Sequence, residues 1–131
     1  MPDVLFGYDE GLITEGRFHF ELRPSKVRQR IRPVVAKQMD CMNDDGRHIV
    51  HQPEQIKFVT FAPLPDRGSK LIVMHVMAYD WPDRMRNIDE RLKVIGLFVQ
   101  QLLKLPEGAV DASFIPLPRE TNTQRPCWVN I

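Results

Sequence analysis

The sequence predicts an α+β fold: two tandem β-α-β units that make a four-stranded sheet with two helices on one face. Three observations carry that prediction. Short apolar runs alternate with two longer stretches of helical periodicity. The 131 residues fit a single domain spanning 1–131. The composition, 43% hydrophobic and 27% charged, is that of an ordinary globular chain.

Residues 3–8 (Asp-Val-Leu-Phe-Gly-Tyr) read as the first strand. Between 9 and 23, Gly11 and Gly16 mark turns, and Phe18-His19-Phe20-Glu21-Leu22 alternates as a half-buried strand would. Residues 25–42 form a helix with Ser25 as its N-cap and Val27, Ile31, Val34, Val35, Met39 and Met42 as its apolar stripe. Pro33 lies inside that pattern, so a kink or break is expected there. Asn43-Asp44-Asp45-Gly46 stops the helix. Residues 56–61 are a strand, and 63–68 a proline- and glycine-bearing turn. Residues 70–79 are apolar on both faces, as a central strand is. A second helix covers 87–104, with Ile88, Leu92, Ile95, Val99, Leu102 and Leu103 on one face. Leu105-Pro106-Glu107-Gly108 ends it, 109–115 is the last strand, and 119–131 is a polar tail. A single helical layer leaves the other sheet face bare, and an apolar bare face calls for a partner subunit.

Eighteen Lys and Arg against 17 Asp and Glu leave a net charge of +1, too little for a global nucleic-acid binder. The longest nearly apolar run, 71–79, contains His75 and is half the length of a membrane span. No charged leader precedes an apolar stretch, so the expectation is a cytoplasmic chain without a membrane or nucleic-acid partner. Cys41 and Cys127 form no C-x-x-C and read as free thiols, with Cys41 buried. His48 and His51 stand beside Gly46 and Pro53, in a loop or short strand, where positions three apart face opposite sides. No metal or other cofactor is expected there.

Three features together carry a resemblance. The chain opens Met1-Pro2 directly into a strand. Its length fits two fused β-α-β units. Its second half runs from the strand at 70–79 through the helix at 87–104 and the Leu105-to-Val110 link to a strand ending at Pro116. In these it resembles the tautomerase superfamily, which includes macrophage migration inhibitory factor, malonate semialdehyde decarboxylase and the 3-chloroacrylic acid dehalogenases. The Tyr79-Asp80 ending of the central strand is similar to that of a bacterial branch of the superfamily.

The resemblance implies a homotrimer with tautomerase or isomerase activity on a small carboxylate substrate. It assigns Pro2 as the general base. With Met1 removed, Pro2 is a secondary amine, and desolvation beside cations favours its neutral form. With Met1 in place its nitrogen is a tertiary amide and no base. Arginines then hold the substrate carboxylate, in two parallel hydrogen bonds each. Arg28 and Arg32 fall at the border of the first helix's apolar stripe. Arg84 and Arg86 follow the central strand, displaced by Tyr79-Asp80-Trp81 from where the decarboxylase and dehalogenase branches place theirs. Asp80 reads as a helix cap. The alternative is a non-enzymatic oligomeric binding or structural protein of the same fold.

Overall fold

The computed structural model describes residues 4–9, 24–61, 72–117 and 127–131. Strand β1 (Val4–Asp9) leads to helix α1 (Pro24–Met39), a short hairpin of β2 (Cys41–Met42) and β3 (His48–Ile49), and strand β4 (Ile56–Phe61). Strand β5 (Ile72–Ala78) leads through helices α2 (Pro82–Met85) and α3 (Ile88–Leu103) to β6 (Val110–Pro116) and β7 (Cys127–Asn130). Mixed α and β content agrees with the sequence. Where four strands and two helices are expected, the described residues form a five-stranded sheet with three α-helices.

The strand order is β4-β1-β5-β6-β7. β1 runs parallel to β4, and β5 parallel to β6. The two parallel pairs meet antiparallel at the centre, where Val4 is opposite Ala78 and Tyr8 opposite Met74. Two β-α-β units thus lie side by side in opposite directions. The added strand β7 pairs antiparallel with β6, Cys127 opposite Phe114. It lies in the stretch read as polar tail, because its short alternation of Cys127, Val129 and Ile131 follows a polar run. Those three side chains pack against the core.

Strand alternation puts Val4, Phe6, Val76 and Phe114 on one sheet face, fully or almost fully buried under α1 and α3. The stripe Val27, Ile31, Val35 and Met39 closes α1 onto that face. On the other face Leu5, Val59, Met77 and Ile115 are half-buried, beside His75 and Ser113. His75 thus stands across the sheet from the main core, where burial pushes its imidazole pKa down.

Three local expectations change. Helix α1 begins at Pro24, so Ser25 lies inside its first turn. It runs through Pro33, which faces solvent, so packing of the buried stripe holds the helix across one missing hydrogen bond. It ends at Met39 rather than Met42, and Gly46, with φ +76°, turns the following hairpin. Helix α3 ends on Lys104 in the left-handed region, φ 53°, with Leu105 N–H donating to Gln100 O at 2.9 Å. Among the described residues, no helix is long and apolar enough to cross a membrane.

Candidate functional site

Helical spacing sets Arg28 and Arg32 one turn apart on α1, at the edge facing β1 and β4. The parallel register sets Phe6 opposite Phe58, so the rings of Phe6, Tyr8 and Phe58 form one aromatic group. Both guanidinium groups lie over it. Arg28 Cζ is 5.4 Å from the Tyr8 centroid and 5.9 Å from that of Phe58. Arg32 Cζ is 4.9 Å from the Phe58 centroid. Arg28 Nε donates to Tyr8 Oη at 2.8 Å, and Arg28 Nη2 donates to the same oxygen. Arg32 Nε donates to Ile56 O at 3.4 Å. Since Ile56 pairs with Val4, Arg32 lies nearer the start of β1 and Arg28 nearer its end.

Arg84 and Arg86 are not part of this group. Arg84 has no solvent exposure. Its Nε and Nη2 donate to Met39 O at 3.1 and 2.7 Å, and its Nη1 donates to Tyr79 O at 2.6 Å. It therefore binds the last carbonyl of α1 to the end of β5. Met39 is about 16 Å along the helix axis from Arg28. Arg86 is exposed and lies 3.7 Å from Asp83 Oδ1. Arg91 completes the helix end: its Nη1 donates to Gln38 O at 2.5 Å and to Asp40 O at 2.6 Å. Cations at a helix C-terminus satisfy the last carbonyls and oppose the dipole.

Trp81, not Asp80, takes the N-cap position of α2, and Asp80 is buried. Close by in sequence to these groups, Asp40 Oδ1 accepts from His51 N–H at 2.8 Å and lies 3.2 Å from His51 Nδ1. His48 is exposed on β3 while His51 is buried, so the two histidines face different surroundings. Cys41 is buried, as expected, and Cys127 is half-buried with its thiol pKa pushed up by burial and then by the Asp89 charge.

Pro2 lies outside the described residues. Val4, two residues after it, pairs with Ala78, two residues before Asp80. The sequence reading missed Tyr8 and Phe58 as the platform and the Asp40–His51 contact. Each depends on a register between distant segments. Comparison with family models, curated proteins and solved structures gives no match to this chain.

Proposed function

We propose that the protein is a tautomerase-like enzyme acting on a small carbonyl or enol acid, assembled as a homotrimer. Pro2, freed by removal of Met1, takes a proton from the carbon beside the carbonyl and returns it to the neighbouring position. Arg28 and Arg32 hold the acid group. The observation that carries this reading is the strand order: two parallel β-α-β units joined antiparallel through β1 and β5, with a Met-Pro start leading into a central strand. The half-buried apolar row Leu5, Val59, Met77 and Ile115 on the face opposite the helices favours assembly.

Tyr8 is four residues from Val4, about 13 Å along an extended strand. Arg32 Nε donates to Ile56 O, opposite Val4, so Arg32 is the arginine nearer the start of β1 in this reading. The same span favours a second reading, a binding protein of this fold that holds acids without turning them over.

The test is ketonisation of phenylpyruvate or 2-hydroxymuconate by protein whose intact mass shows Met1 removed. Pro2→Ala leaves a primary amine in place, so binding should persist while turnover falls by about 100-fold or more. Light scattering should give three times the chain mass. Equal rates in the two proteins, no rate above buffer, or a stable monomer would reject the enzyme reading.

A further inference from the structure

We infer that Arg28, Arg32 and Tyr8 form a binding site for a tetrahedral, doubly charged oxyanion, the phosphate group of a phosphomonoester. This rests on the reading that the arginine pair holds the ligand's acid group, and it names that group.

The first argument is charge. Both guanidinium groups are permanently cationic, and both lie over the Phe58 ring. Among the described residues neither has a carboxylate within ion-pair distance. Helix α1 itself carries no acid from Pro24 to Met39. Among the described residues no acid offsets the repulsion of these two like charges on one aromatic platform. A single carboxylate would leave one of them unbalanced, whereas a dianion balances both.

The second argument is the polarity of the site. Tyr8 is 7% exposed, and its oxygen accepts two N–H groups from the one guanidinium of Arg28. Its own O–H is then left to donate. Among the described residues Arg32 donates only through its Nε, at the long distance of 3.4 Å, which leaves both of its terminal NH₂ groups as donors toward a ligand. The site thus presents donors from two turns of a helix and from a strand. A planar carboxylate matches one guanidinium fork. A phosphate has enough oxygens, pointing in enough directions, to meet all three side chains. The rings orient the guanidinium planes and exclude water from one side of them.

The test follows the arginine Nε–Hε resonances of the full chain at constant ionic strength, titrated with inorganic phosphate under slightly alkaline conditions, with sulfate, and with acetate. Arg28 and Arg32 signals should shift and saturate with phosphate and sulfate. Phosphate should bind at least about tenfold more tightly than acetate. Arg28→Gln and Arg32→Gln should each weaken phosphate by a similar factor, and Tyr8→Phe by less. Arg32→Lys keeps the charge and removes the planar fork, so it should also lose phosphate and serves if the glutamine variants misfold. An equal response to acetate and phosphate, or phosphate binding that survives the double Arg28→Gln, Arg32→Gln variant, overturns the inference. No turnover is needed, so an inactive protein would reject the enzyme reading and leave this one testable. Turnover of carboxylic acids that saturating phosphate leaves unchanged would overturn the shared site.

Discussion

One residue separates Arg84 from Arg86, and the short helix α2 turns the first inward while the second lies in solvent. The inward guanidinium is held by the carbonyls of Met39 and Tyr79. Arg84→Met keeps apolar volume but strips two buried carbonyls of a charged donor, a loss of about 3 kcal/mol in urea unfolding. Arg86→Met should leave the midpoint unchanged, because an exposed ion pair contributes little. Titration gives a second residue-scale expectation. Burial lowers the His75 pKa below its ordinary 6.5, so the unfolded chain takes up a proton that the folded chain resists. Stability is therefore full above about pH 6.5 and declines as pH falls through the lowered folded value. Midpoints measured across that range should fall with acid in wild type, and less steeply in His75→Asn. At this scale the helical spacing of Arg28 and Arg32 was legible, because it depends on local periodicity. Their platform was not: Tyr8 and Phe58 meet through a parallel pairing of strands about fifty residues apart in sequence.

Elements whose boundaries depend on local chemistry were read closely, and those ended by distant groups were not. Strand β4 spans Ile56–Phe61 as the apolar run suggests, and α3 differs by one residue at each end. Helix α1 stops three residues early. Met42 continues the stripe in sequence, yet Arg84 and Arg91 take the carbonyls of Gln38, Met39 and Asp40, and Asp83 Oδ2 accepts from Met42 N–H at 2.8 Å. Those partners lie about forty to fifty residues onward, beyond any local pattern. The seating of β7 on α3 gives an element-scale test. A Cβ built on Gly96 would lie 2.4 Å from Ile131 Cγ1, so the glycine is the notch that receives Ile131. Gly96→Ala improves helix propensity by about 1 kcal/mol but evicts Ile131. It should destabilise the wild type and stabilise an Ile131→Ala background. A double-mutant cycle by chemical denaturation checks that change of sign; equal effects in both backgrounds would mean that Ile131 does not depend on the notch.

For the molecule as a whole, the tandem order of β-α-β units was legible because each unit repeats a strand–helix–strand pattern along the chain. The fifth strand was hidden in polar sequence. The antiparallel joint at β1 and β5 is a relation between the halves that periodicity does not encode. The two units also share one continuous core rather than two. The arginine clamp has a consequence for how the chain opens. The helix of the first unit is finished by Arg84 and Arg91, which belong to the second. Separated from those donors, α1 would keep bare carbonyls at its negative end and fray from there. The halves are therefore not independent folding modules joined by a sheet. They form one cooperative unit, in which slow amide exchange in the last turn of α1 is governed by the intactness of a helix more than forty residues away.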